Sequence, residues 1–151
     1  MAPLVPSFIE QHPDVSLPLN LSDRVVDIVN EGFDCAIRVG ELTDSSLVSI
    51  KLADNRRVVG ARPDYLERHG TPQTLADLAS HNCLSLGQQR GWLFRVGEEI
   101  ASIKVSGQIE CNDGAVLHEW ALAGRGLAWR SLWEVGADLQ SGALVPVLDE
   151  F

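Results

Sequence analysis

Arg38 is the side chain whose type and place point most directly to binding chemistry. It sits in a near-continuous apolar run, Phe33-Asp34-Cys35-Ala36-Ile37-Arg38-Val39-Gly40, of the sort found in a strand covered on both faces. In open α/β sheets ligands bind beyond the carboxyl ends of the strands, so a guanidinium there can grip a carboxylate or another anion bidentately. A salt bridge to Glu41 or Asp44 is an equally good account of the same residue.

Two other corners share that address. Asn20-Leu21-Ser22 closes an earlier strand pattern and opens a helix, so the Ser22 hydroxyl and the free amides behind it can meet an anion or simply cap the helix. Cys111-Asn112-Asp113-Gly114 repeats the arrangement after a later strand. For Asn112 alone, a plain N-cap is at least as good an account. Three polar strand-to-helix corners together suggest a cleft.

Dedicated catalytic motifs are missing. His118-Glu119 begins like a zinc-protease helix, but position 122 holds Leu122 where a second histidine is required. Gly124-Arg125-Gly126 opens like a dinucleotide loop, yet it follows a helix and precedes a strand, the reverse of the order that chemistry needs. Walker, Cys-x-x-Cys and Gly-x-Ser-x-Gly patterns do not occur. His12, His69, His81 and His118 lack metal-ligand spacing and read as solvated or capping residues.

The elements that position the three corners follow from periodicity. Leu4, Val5, Phe8 and Ile9 predict a helix ended by His12-Pro13. Val15, Leu17 and Leu19 alternate as a strand, and Val25, Val26, Ile28 and Val29 predict a second helix stopped by Gly32. With the run from Phe33 to Gly40, the opening reads α-β-α-β, the grammar of a parallel sheet with crossovers. Val48, Ile50 and Leu52 then alternate, Asp54-Asn55-Arg56-Arg57 interrupts, and Val58-Val59-Gly60-Ala61 resumes, as in a chain crossing from one lobe to another.

Beyond the crossing, Pro63 and Gly70 bracket a helix, and Thr74 with Asp77 resembles a capping box. Short strands are predicted at 83–86 and 92–96, and a longer one through Ile103, Val105, Gly107, Ile109 and Cys111. Asn112 caps a helix over 113–123 closed by Gly124; Leu127-Ala128-Trp129 is a buried strand; Ser131 caps a last helix before the strand at 144–147.

Composition narrows the class of partner. The 151 residues carry 12 Lys+Arg against 21 Asp+Glu, a formal net charge of −9, which argues against charge-driven binding to nucleic acid or anionic lipid. A chain this long can bury a core as one domain or two small lobes. No apolar run reaches about 18 residues, as a membrane span requires, and the N-terminus has no secretory character. Cys35, Cys83 and Cys111, odd in number, far apart and each among apolar residues, read as reduced, buried thiols of a cytosolic protein.

Several blocks in order resemble one family. Gly32-Phe33-Asp34-Cys35-Ala36-Ile37-Arg38-Val39-Gly40-Glu41-Leu42 with Asp44-Ser45-Ser46-Leu47, Arg62-Pro63-Asp64-Tyr65-Leu66-Glu67-Arg68-His69-Gly70, Asn112-Asp113-Gly114 and Ala121-Leu122-Ala123-Gly124-Arg125-Gly126-Leu127-Ala128 resemble the effector-binding domain of LysR-type transcriptional regulators, from Ala2 to about Pro146. The resemblance implies an α/β fold like that of type 2 periplasmic binding proteins, two lobes with a ligand cleft between them. It divides the chain into lobe I at 1–54 and 133–151 and lobe II at 55–132, and maps Ser22, Arg38, Gly40, Asn112 and Asp113 to the cleft rim. Trp129 can line the same cleft, although a core tryptophan accounts for it as well.

The family's DNA-binding helix-turn-helix, the first strand of lobe I and the closing strand and helix have no counterpart in the chain, so it reads as a fragment. Open sheet edges in lobe I are expected, mended by dimerisation or by a rearranged segment. The expected function is a sensor: a small anionic or zwitterionic metabolite shifts the balance between two arrangements, with homo-oligomers through lobe I, no enzyme activity, no cofactor, no metal and a cytoplasmic setting. The alternatives are a free-standing solute receptor of the same fold, which needs a longer, exported precursor, and a small α/β enzyme, which needs a nucleophile and base in the cleft.

Overall fold

The structure is a computed structural model that describes residues 4–24, 26–39, 47–87 and 91–151. Its centre is a five-stranded sheet made of β1 (Arg57–Ala61), β2 (Cys83–Leu86), β5 (Glu110–Cys111), β6 (Leu127–Ser131) and β7 (Val145–Val147), in the order β5-β2-β6-β1-β7. Between β2 and β5 in the chain, β3 (Trp92–Val96) and β4 (Glu99–Ile103) form a separate antiparallel hairpin. β2 runs parallel to both β5 and β6, while β1 is antiparallel to β6 and β7. The carboxyl ends of β2, β5 and β6 therefore leave the sheet along one edge, and the amino end of β1 arrives there.

Alternation along these strands sorts the core onto two faces. Val59, Ala61, Cys83, Leu127 and Trp129 pack on one side with Tyr65, Leu78, Trp92 and Phe94. Val58, Leu84 and Ala128 pack on the other with Leu117, Ala121, Val135 and Leu144. The helices α2 (Pro63–His69), α3 (Gly114–Leu122) and α4 (Leu132–Ser141) and a 3₁₀ helix at Leu75–Ser80 cover the faces.

The helix boundaries follow their caps. Pro63 opens α2 and Gly70, at φ +83°, ends it. Asp77 substitutes for the usual Glu of a capping box, accepting from the Thr74 and Gln73 amides at 2.8 and 2.9 Å. The cap of α3 is Asp113, not Asn112 as expected: its carboxylate accepts from Ala115 N and Val116 N at 2.8 and 3.2 Å. Ser131 caps α4 as expected, accepting from Trp133 N at 3.3 Å.

The long strand expected over 103–111 is broken in two. A Cβ at Gly107 would stand 2.2 Å from the Cys83 carbonyl oxygen, and the Gln108 amide donates to the Asn82 side chain at 2.7 Å. This close crossing over the start of β2 separates β4 from β5.

Within residues 133–151, β7 pairs with β1, Val147 opposite Val59 and Val145 opposite Ala61. The apolar residues Val135, Leu144 and Val147 find their burial there.

The opening of the chain departs most. α1 (Val5–Gln11) forms and ends at His12, although none of its residues is buried. The strands expected at 15–19 and 33–40 and the helix expected after Ser22 are not formed among the described residues of 12–56. A strand persists only as part of a ladder, and these segments meet no partner strand. In place of an open-edged sheet there is an irregular segment, and no described residue from 4 to 56 is buried. The Gly32 stop does form: at φ +74°, it carries the paired bonds Phe33 N to Ile28 O (2.9 Å) and Gly32 N to Val29 O (3.3 Å) that close a helical turn. Val25, Gly40, Glu41, Leu42 and Asp44 lie outside the described residues.

Candidate functional site

The edge where β2, β5 and β6 end holds a cluster of charges around the first residue of α3. Arg130, near the end of β6, donates from Nε and Nη2 to both carboxylate oxygens of Glu134 on α4, at 2.8 to 3.1 Å. Its side chain is 12% exposed. The guanidinium lies against Gly114, where a Cβ would stand 2.0 Å from Nη2, so glycine is what admits arginine to this place. His118, one turn into α3, buttresses the group: Nε2 is 2.8 Å from Asp138 Oδ2 and Nδ1 3.8 Å from Glu134 Oε1.

Arg57 lies beside this pair because β1 is in register with β6, Arg57 opposite Ser131 and Val58 opposite Arg130. Its guanidinium covers the Trp129 ring, whose indole stacks on Trp92 at 6.4 Å. Burial first, and then the Arg130 charge, pull Arg57 below the ordinary guanidinium range, opposed by the Glu134 and Asp23 carboxylates.

Asp23 reaches the cluster from the irregular opening segment. Its carboxylate accepts the Gly114 amide at 2.5 Å, a bond spanning 91 residues. Asp113 satisfies the next two amides of α3, so Gly114 N–H is the one left to face outward, at the positive end of the helix. The Gly114 amide, held by Asp23, and the Arg130 guanidinium, held by Glu134, thus form a polar seat at the first turn of α3, with Arg57 on the neighbouring strand. On the same edge, a cavity of about 280 Å³ opens at the ends of β2 and β5, lined by Ser85, Gly87, Trp92, Lys104 and Glu110 among others.

The residues expected from sequence are partly brought together here. Ser22 adjoins Asp23, its hydroxyl accepting the Arg24 amide at 3.2 Å, and Asp113 caps the helix at the seat. Asn112 is exposed beside it. Arg38 stays within its own segment, donating to the Val26 carbonyl, and Gly40 lies outside the described residues. From sequence Asp23 is an alternative to Ser22 as a helix cap and Arg57 part of the crossing segment; neither they nor Arg130 and Glu134 are among the residues expected at the site. The one available signal was an arginine on either side of a predicted crossing, Arg57 entering one strand and Arg130 leaving another.

Burial pushes the Cys83 thiol up to about 12, and Cys111 donates its thiol to the Asp113 carbonyl at 3.0 Å. Among the described residues no group of three or more His, Cys, Asp or Glu side chains is placed to hold a metal ion, and no helix is long and apolar enough to cross a membrane.

A polar seat at the carboxyl edge of an α/β sheet is the construction of a small-molecule binding domain, and comparison with known proteins agrees. The LysR substrate binding domain profile matches residues 1–151. The chain belongs to the LysR substrate-binding family, with the α/β fold of type 2 periplasmic binding proteins, and is the effector-binding domain of a LysR-type regulator. It is 37% identical over 155 aligned positions to the HTH-type transcriptional regulator DmlR of Escherichia coli K12, covering 100% of this chain and 50% of that protein. It is 34% identical to the E. coli K12 activator TtdR, again over 100% of this chain and 50% of that protein. The structure of CrgA, a LysR-type regulator from Neisseria meningitidis, superposes with a TM-score of 0.84 at 35% identity, covering 99% of this chain and 51% of that one. The chain spans about half the length of the curated relatives it matches.

Proposed function

We propose that this domain senses a small carboxylate-bearing metabolite, anionic or zwitterionic, in a cleft between the 20–24 corner and the first turn of α3. The observation that carries this reading is the first turn of α3, where the Gly114 amide takes a carboxylate, that of Asp23, beside the Arg130 guanidinium. Desolvated guanidinium and amide donors favour a carboxylate there. Ser22, Asn112 and Asp113 stand at the rim and add hydrogen bonds, Asp113 and Glu110 leaving a place for an ammonium group. Arg38 and Gly40 belong to the same rim on the family resemblance alone.

The neighbouring cavity accommodates the remainder of the ligand. Binding changes the balance between two arrangements of the regulator only as far as the ligand prefers one of them. The two lobes that enclose the cleft are 1–54 with 133–151 and 55–132, as the family resemblance divides the chain. Because the related proteins are transcriptional regulators, the domain acts by binding, not catalysis, in the bacterial cytoplasm, as a homo-oligomer, and reaches DNA through a helix-turn-helix elsewhere in the full-length regulator.

Thermal unfolding with a panel of carboxylates, aromatic acids and amino acids tests the reading. A ligand at a hundred times its dissociation constant stabilises by about 2.7 kcal/mol. One class raises the melting temperature of the wild-type chain and not of Arg130→Met; a panel with no effect on either, or an equal effect on both, overturns the assignment.

A further inference from the structure

We propose that the cavity at the ends of β2 and β5 receives an α-amino-acid group, its carboxylate against Lys104 and the Trp92 indole N–H and its ammonium against Glu110. The proposal rests on the reading of the domain as a sensor and names the chemistry of the part of the effector that enters this cavity. It makes no use of the first turn of α3.

Strand register builds the cavity. The parallel pairing of β2 with β5 sets Glu110 opposite Ser85, and the Gly87 amide carries the ladder on to the Cys111 carbonyl at 2.9 Å. The Glu110 carboxyl therefore lies beside Gly87, where a Cβ would stand 3.8 Å from its Cδ and Oε1. The hairpin supplies the other wall: Trp92 opens β3 opposite Ile103, the last residue of β4, and Lys104 follows directly. About 280 Å³ is left between them, with Leu86 and Val105 as apolar lining.

Two observations there point to a ligand. Trp92 is fully buried, yet its Nε1 is the one buried side-chain nitrogen or oxygen among the described residues with no hydrogen-bond partner. Buried donors are almost always satisfied. The ring forms part of the cavity wall and is held by stacking on Trp129, so an acceptor that enters the cavity completes it. The second observation is charge. Lys104 and Glu110 are the two charged residues lining the cavity, opposite in sign, and neither takes part in a hydrogen bond or ion pair among the described residues. Either alone is an ordinary solvated side chain. Together, at the exposed rim of a cavity whose inner wall holds an open donor, they set the charge of what fits.

A simple anion would meet Glu110 and a simple cation Lys104, each a repulsion; a zwitterion meets its complement at both ends. A carboxylate has lone pairs enough for the Lys104 ammonium and the indole N–H at once, and the Glu110 carboxylate accepts from an ammonium group.

The test is NMR of the indole N–H groups of the 151-residue chain, titrated with L-alanine and separately with propionate and ethylammonium, its acidic and basic halves. L-Alanine moves the Trp92 Nε1–H signal, and each half binds at least about tenfold more weakly. Lys104→Met and Glu110→Gln, both at exposed positions, each weaken L-alanine by a similar factor while the signals of Trp120, Trp129 and Trp133 report an intact fold. A Trp92 signal that L-alanine leaves unmoved overturns the proposal and marks the N–H as satisfied by water. So does a shift that survives both substitutions, or one that propionate produces as readily as L-alanine. The sensor reading stands or falls separately, on the carboxylate panel and Arg130→Met.

Discussion

The guanidinium carbon of Arg57 lies 4.4 Å from the centroid of the Trp129 ring. A cation held on an aromatic face at the end of a strand is fixed in position while its remaining donors stay available. Arg57→Gln therefore weakens binding of a stabilising carboxylate by about tenfold, the loss of one charge-assisted hydrogen bond. Arg57→Lys recovers only part of it, because a point charge lacks the planar fork. Isothermal titration with the ligand identified by thermal shift measures both.

Gly114 tests the other side of the seat. An added methyl would meet Arg130 Nη2 at 2.0 Å, the far end of a long side chain, so the arginine moves and the backbone does not. Gly114→Ala is expected to change stability by about 1 kcal/mol or less while lowering carboxylate affinity at least as much as Arg57→Gln. Equal losses of stability and binding would show that the glycine serves the fold instead.

The distribution of burial gives a sharp contrast between two apolar residues. Leu117 is 1% exposed and Val48 is 92% exposed. Leu117→Ala costs about 2–5 kcal/mol, and Val48→Ser falls within about 0.5 kcal/mol of the parent, both read from denaturant melts of the isolated chain.

Much of the sheet and its helices was legible in the sequence because local signals and tertiary needs agree there. Pro63 and Gly70, the Thr74–Asp77 box, Ser131 and the short apolar runs of β1, β2 and β6 each act over a few residues. The patterns at 15–19 and 33–40 are as strongly strand-like, but a strand also needs a partner, and periodicity says nothing of partners. The seat was illegible for a related reason. Arg57 and Arg130 become neighbours only through the register that sets Val58 against Arg130, and Asp23 joins them through a contact that no local pattern encodes.

Acid weakens the fold through His81. The ring is 8% exposed, with Nδ1 3.3 Å from the Tyr65 hydroxyl, and burial, aided by His69 and opposed by Asp77, holds it below the ordinary histidine range. The unfolded chain therefore takes up this proton first. Stability from the neutral ring is complete above about pH 6.5, the ordinary value, and is lost as the pH falls through the lowered one. The melting temperature should fall over that window in the parent and fall less in His81→Gln.

Thiol labelling separates the cysteines. Cys83 is buried, with its thiol pushed up to about 12, whereas Cys35 is exposed. Since the thiolate is the reactive form, iodoacetamide at pH 8 modifies Cys35 in the native chain and spares Cys83 until denaturant is added. Native modification of Cys83 at a comparable rate would contradict its burial.

The placement of β1 carries a consequence for the order of pairing. Its two ladder partners, β6 and β7, follow it only after β2, β3, β4 and β5. β1 stays unpaired until both later strands are available, so β2 to β5 precede its pairing in the chain and loop closure over that separation slows the step.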